Sequence, residues 1–146
     1  MADVVCCDTS FLFSLYGQDG NTRRALLLAS RLGEPVTLSA FNEFEFLNAI
    51  HLAVFRKVFS STSRATLRAA FEADLAAGRL VVENCNLAQV LAEARRLSSI
   101  HTETGGYRSF DILHVAAALL LSAKTFFTFD ENQRRLASAA GLKCPT

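Results

Sequence analysis

The chain has 146 residues, 51% hydrophobic and 20% charged, with seven glycines and two prolines, which excludes disordered, collagen-like and linker-rich chains and suits one domain spanning residues 1–146. Fifteen basic against fourteen acidic side chains leave a net charge of +1, ruling out a histone-like polycation while allowing a local basic face. The longest nearly uncharged apolar run, residues 112–121, is too short to span a membrane, and Met1–Asp8 lacks a basic-then-apolar leader pattern, so the expected compartment is the cytoplasm.

Residues 3–7 form a short β-branched and apolar run that reads as a strand buried on both faces and ending at Asp8. Cys6 and Cys7 within it, with Cys85 and Cys144, show no metal-binding spacing and are expected to be free thiols. After the break at Gly17–Gly20, Ala25, Leu28, Ala29 and Leu32 recur at helical spacing until Gly33, and residues 36–38 suggest a second strand. Ser39 can cap a long helix over residues 40–58, whose apolar stripe runs Phe41, Phe44, Leu47, Ala49, Ile50, Ala53 and Val54. Ser60–Ser63 supply a break and the next cap, and Leu67, Ala70, Phe71 and Leu75 stripe a helix ending before Gly78; residues 79–82 read as a third strand.

Asn86, with Gln89 three positions on, resembles a capping box opening a helix to about residue 102. Thr104-Gly105-Gly106 breaks it, Ser109 is expected to cap the next helix, and residues 112–122 are apolar nearly all round, as in a helix packed inside the domain. Residues 125–129 read as a fourth strand, 131–140 as a helix stopped by Gly141, and 142–144 as a fifth strand. Strands alternating with helices favour parallel pairing. The expected fold is α/β, a three-layer α/β/α sandwich around a mainly parallel sheet of four to five strands.

Ligands of open parallel sheets gather beyond the carboxyl ends of the strands. Asp8 closes the first strand, Asp130 the fourth, and Asp111 opens the apolar helix. Each alone can be a helix cap or a complement to a helix dipole. Gathered at one edge they repel, and a divalent cation removes that penalty. Oxygen-only ligands suit Mg²⁺ or Mn²⁺, which can activate water for phosphodiester hydrolysis.

Four segments, Val4-Val5-Cys6-Cys7-Asp8-Thr9-Ser10, Ser39-Ala40-Phe41-Asn42-Glu43-Phe44-Glu45, Arg108-Ser109-Phe110-Asp111-Ile112-Leu113-His114-Val115-Ala116 and Phe127-Thr128-Phe129-Asp130, in this order and spacing, make the chain resemble the PIN-domain ribonucleases, and among them the VapC-type toxins of bacterial toxin–antitoxin pairs. The resemblance covers nearly the whole chain. It implies a Mg²⁺- or Mn²⁺-dependent endoribonuclease that cuts single-stranded or loop RNA of transfer or ribosomal type and is silenced by a cognate antitoxin. It puts the family's site acids on Asp8, Glu45, Asp111 and Asp130, as metal ligands and catalytic groups, with Glu43 as the alternative glutamate. Glu43 and Glu45 lie about 200° apart on a helix and cannot share one inward direction.

Thr9 and Ser10 suit either capping or contact with a phosphate or metal-bound carboxylate, and Thr128 either strand packing or contact with the site. Arg108 can meet RNA phosphate or offset the acids. His114, three residues after Asp111, can approach the site, although a lone His among Ile, Leu and Val more often serves the core. Of twelve phenylalanines, Phe41, Phe44, Phe46, Phe55 and Phe59 are concentrated in the long-helix region and exceed what one inward stripe can hide, which suggests a homodimer. A phosphoacceptor signalling domain would need an acidic pair after the first strand, and a haloacid-dehalogenase-like phosphatase an Asp-x-Asp; both are missing. The remaining rival is a catalytically weak PIN-like module that binds RNA or protein.

Overall fold

The computed structural model describes residues 3–146, so the first two residues of the Met1–Asp8 stretch lie outside it. The sheet consists of β1 (Val4–Cys7), β2 (Val36–Ser39), β3 (Leu80–Glu83) and β4 (Ala123–Phe127), all parallel in the order β3-β2-β1-β4. Seven helices connect and flank them among the described residues: α1 (Thr9–Tyr16), α2 (Thr22–Ser30), α3 (Ala40–Phe55), α4 (Ser61–Ala76), α5 (Leu87–Gly105), α6 (Ser109–Leu120) and α7 (Glu131–Ala139). The α/β/α reading holds, with four strands.

Alternation along β1 divides the core. Val5 and Cys7 point to one face, where they pack with Phe11, Phe46, Ile50 and Phe71 from α1, α3 and α4. Cys6 points to the other, among Val90, Leu97, Val115 and Leu136 from α5, α6 and α7. Burial pushes the Cys6 thiol up to about 12, helped by Cys85, so this sulfur stays protonated and unreactive. The free-thiol expectation is met at all four cysteines.

Several boundaries differ from the sequence reading, each for a physical reason. Residues 142–144 are no fifth strand. Lys143 makes one parallel bridge, donating to the Lys124 carbonyl and accepting from Phe126, and Pro145 lacks the N–H to extend it. β4 stops at Phe127, short of residue 129, because the Phe129 N–H is taken by Ser10 Oγ at 3.0 Å. Ser109 does not cap α6; Arg108 holds that position without a capping side-chain bond, its guanidinium turned toward Asp111.

The long helix ends at Phe55, and Ser39 caps it by accepting from the Asn42 N–H at 3.1 Å. Its inward face is Asn42, Phe46, Ile50 and Ala53, so Phe44, expected in the inner stripe, is 62% exposed. On α5, Leu87 and Leu91 face outward while Val90 and Leu97 are buried, and the helix ends where Gly106 adopts φ 69° and its N–H reaches the Thr102 carbonyl.

Candidate active site

β1 has β2 on one side and β4 on the other. The connections therefore leave in opposite directions beside β1, and the crevice beyond the carboxyl ends of β1 and β4 is the natural ligand position of such a sheet. Asp8 and Asp130 both follow those ends.

Asp8 is extended and caps α1, its Oδ1 accepting from the Phe11 N–H at 3.0 Å and from Ser10 Oγ at 2.7 Å. Its Oδ2 accepts from Thr128 Oγ1 at 2.6 Å. The residue is only 5% exposed. Burial pushes its carboxyl above the ordinary range, against the pull of the hydrogen bonds from Thr128, Ser10 and Phe11. Thr128, fully buried, also accepts from the Asp130 N–H at 3.0 Å, so two hydroxyls lace the end of β1 to the turn after β4.

Asp130 caps α7 with Oδ1, which accepts from the N–H groups of Asn132 at 2.8 Å and Gln133 at 3.2 Å. Asp130 and Gln133 have the three-residue spacing of a capping box, but only the Asp130 half forms. Gln133 sends its amide to the Asp111 carbonyl at 2.9 Å, tying α7 to the first turn of α6. The Asp111 carboxylate, partly covered, lies 3.4 Å from Nε of the exposed Arg108, a pair of little energetic weight.

Glu45 projects from α3 and its Oε1 accepts from Thr9 Oγ1 and from His114 Nε2, the latter at 3.0 Å. Burial alone would raise its carboxyl. The hydrogen bonds from His114 and Thr9, with the positive charge of Arg108, outweigh it and hold the carboxyl below the ordinary range. Glu43 has no side-chain hydrogen bond with the described residues. His114 packs edge-on to Phe110 with centroids 6.0 Å apart. Its link to Glu45 was unreadable from sequence except as the i, i+3 spacing from Asp111, and Gln133 as a brace gave no signal beyond the capping pattern.

Thr9, Ser10, Phe129 and Asp130 line an open cleft of about 440 Å³. Larger clefts of about 610 and 510 Å³ lie away from the four acids, between α2 and β3 and beside α4; volume alone therefore does not mark the site. Among the described residues no three His, Cys, Asp or Glu side chains converge closely enough to form a ready metal cage. The donors nevertheless suit a hard cation: all are carboxylate oxygens, and Mg²⁺ often takes one or two carboxylates and keeps its remaining waters. The raised carboxyl of buried Asp8 is the electrostatic condition that a cation would relieve.

A parallel α/β sandwich with carboxylates wired by hydroxyls at the strand-order switch defines the class of protein. Within that class the chain belongs to the PIN domain family, which matches residues 5–139. Solved structures share the fold. Mycobacterium tuberculosis VapC20, described as a sarcin-ricin loop cleaving toxin, is 22% identical with TM-score 0.69, covering 94% of this chain and 95% of that one. FitAcB from Neisseria gonorrhoeae is 21% identical with TM-score 0.67, over 97% and 96%. VapBC2 from Rickettsia felis, bound to a DNA fragment from its promoter, is 15% identical with TM-score 0.66, over 97% and 96%. No curated protein sequence matches the chain. Among the described residues no helix is long and apolar enough to cross a membrane.

Proposed function

We propose that this chain, acting as one PIN-like domain over residues 1–146, is a Mg²⁺- or Mn²⁺-dependent endoribonuclease. It hydrolyses phosphodiester bonds in single-stranded or loop RNA of transfer or ribosomal type, in the cytoplasm, as the toxin of a toxin–antitoxin pair. The observation that carries the reading is Asp8: a buried carboxylate held by three hydrogen bonds at the sheet's switch point and joined through Thr128 to Asp130. The PIN family match and the fold shared with a toxin described as cleaving the sarcin-ricin loop favour RNA as substrate.

Asp8, Glu45, Asp111 and Asp130 would hold the cation. When bound, it lowers the pKa of a water and offsets charge developing on the phosphate. Thr9 keeps one oxygen of Glu45 engaged, and Ser10 and Thr128 fix Asp8 so that it does not reorganise when substrate arrives. Asp130 orients an attacking water, and Arg108, its side chain 82% exposed, meets an RNA phosphate. No side-chain nucleophile is needed.

The test is a mixed transfer and ribosomal RNA pool incubated with antitoxin-free protein. Cutting is expected with Mn²⁺ or Mg²⁺ and is expected to cease with chelator. Glu45→Gln should lose roughly 100-fold or more, whereas Glu43→Gln should stay within about threefold, since Glu43 supports none of the contacts around the site. Metal-independent cutting would overturn the metal mechanism, and no cutting by a folded protein on intact RNA would overturn the enzyme reading in favour of a binding module.

Two partners complete the proposal. A cognate antitoxin silences the enzyme, as the toxin–antitoxin complexes among the structural neighbours suggest. The second partner is another copy of this chain. Phe44, Leu52 and Phe55 are exposed on α3 within about 80° of one another around its axis, Phe55 at 82%. Sedimentation at micromolar concentration is expected to give a dimer, and Phe55→Glu a monomer; a strict wild-type monomer would remove this part.

A further inference from the structure

We propose that His114 is a positioning residue for Glu45 and that one buried water, shared with Asn42, fixes its tautomer. The proposal rests on the active-site reading only for its catalytic consequence. His114 has a side chain 1% exposed, and its Nε2 lies 3.0 Å from Glu45 Oε1. A carboxylate only accepts, so Nε2 carries the hydrogen, and in the neutral ring Nδ1 is then an acceptor.

That acceptor has no protein partner, and neither does Asn42 Nδ2, a buried donor one helix away. The other end of the Asn42 amide is engaged, Oδ1 accepting from Cys7 Sγ at 3.7 Å. Both residues line the same small cavity of about 10 Å³, beside Cys7, Ser39, Ala117 and Leu121. A space of roughly 10–15 Å³ seats a single water. Here one wall offers a donor and the other an acceptor. A water accepting from Asn42 Nδ2 and donating to His114 Nδ1 satisfies both atoms at once.

The result is a polar thread from the core to the surface site: Cys7, Asn42, the water, His114, Glu45 and Thr9. It explains why a histidine sits among the alanines of α6, and why α3 buries an asparagine at its first turn. It also gives Glu45 one direction, because the imidazole cannot turn without breaking its bond to the water.

The experiment is a long-range ¹H–¹⁵N spectrum of metal-free protein, which needs no RNA. His114 Nε2 is expected at a protonated shift and Nδ1 at an unprotonated, hydrogen-bonded one, with a long-lived water giving a cross-peak to Ala117. In Asn42→Ala the two nitrogen shifts should move toward the average of a tautomer mixture. A protonated Nδ1, or no resident water, would overturn the proposal whatever the enzyme does to RNA. In cleavage assays His114→Phe should lower kcat about 10–100-fold with KM little changed, and His114→Gln, which keeps an N–H toward Glu45, should recover most of it. Equal loss in both variants would reduce His114 to a packing residue.

Discussion

Asp8→Asn is expected to lower RNA cleavage by roughly 100-fold or more and, in metal-free protein, to raise stability by about 0.5–2 kcal/mol. The two effects share one cause. Burial is the largest influence on the Asp8 carboxyl and lifts it above its ordinary value of 3.8, although Thr128, Ser10 and the Phe11 N–H all bond it. Between the unfolded and folded pKa values the folded chain holds more protons than the unfolded one, so stability falls as pH rises through that window and the penalty is present above the unfolded value. Asparagine carries no charge to desolvate. Its carbonyl oxygen still caps α1, and the Thr128 hydroxyl can rotate to accept from the new amide. The difference between variant and wild type should therefore be present at pH 7 and shrink on acidification. Mn²⁺ should raise the Tm of the wild type more than that of the variant. Thermal melts over pH, with and without the ion, check this; a variant less stable than wild type at pH 7, or a gap that widens in acid, would contradict it. Asp111→Asn is the companion, since its side chain is less buried and should affect cleavage with little change in stability.

The architecture was legible where local signals agreed. At Ser39 a strand-ending serine, a helical stripe and a free backbone N–H at Asn42 point to the same helix start, and the structure has it. At Thr9–Tyr16 they do not. The run Thr-Ser-Phe-Leu-Phe-Ser-Leu-Tyr has no polar face, and its helical state rests on the Asp8 cap and on packing of Phe11 and Leu12 into the core. The sequence offered only Asp8 as a cap for a following turn. The end of β4 was hidden for a related reason. Thr125–Phe129 has strand composition throughout, and what stops the ladder is the hydroxyl of Ser10, more than a hundred residues away in sequence.

The candidate site shows the same division. That acids collect at the ends of β1 and β4 follows from patterning and parallel topology. How they are held does not. The His114 contact to Glu45 spans 69 positions and the Gln133 brace to Asp111 spans 22, and each residue has an ordinary local reading, core histidine in one case and capping partner in the other. Phe44 was misplaced because Phe41, Phe44 and Phe46 all fall in the first two turns of α3 and point in different directions, so apolar pattern alone does not select the inward one; the structure buries Phe46 in line with Asn42 and Ile50.

Phe11→Ala is expected to cost about 3–5 kcal/mol, a large share of the ~5–15 kcal/mol available to a domain. Phe11 is fully buried, its ring 4.9 Å from that of Phe127 and 5.8 Å from that of Phe129. It thus packs α1 against the end of β4 while its own N–H donates to Asp8. Truncation opens a cavity directly beneath the Asp8–Thr128–Asp130 linkage. The comparison is Leu97→Ala, equally buried but in the opposite core layer on α5, which should cost about 2–5 kcal/mol. Urea titrations should show the midpoint falling in both with the slope unchanged. Cleavage per folded molecule should fall at least tenfold only for Phe11→Ala, because a shift of even 1 Å in a catalytic group can cost about 100-fold. If both variants retain full activity per folded molecule, the aromatic packing supports the fold and the site is positioned by its hydrogen bonds alone.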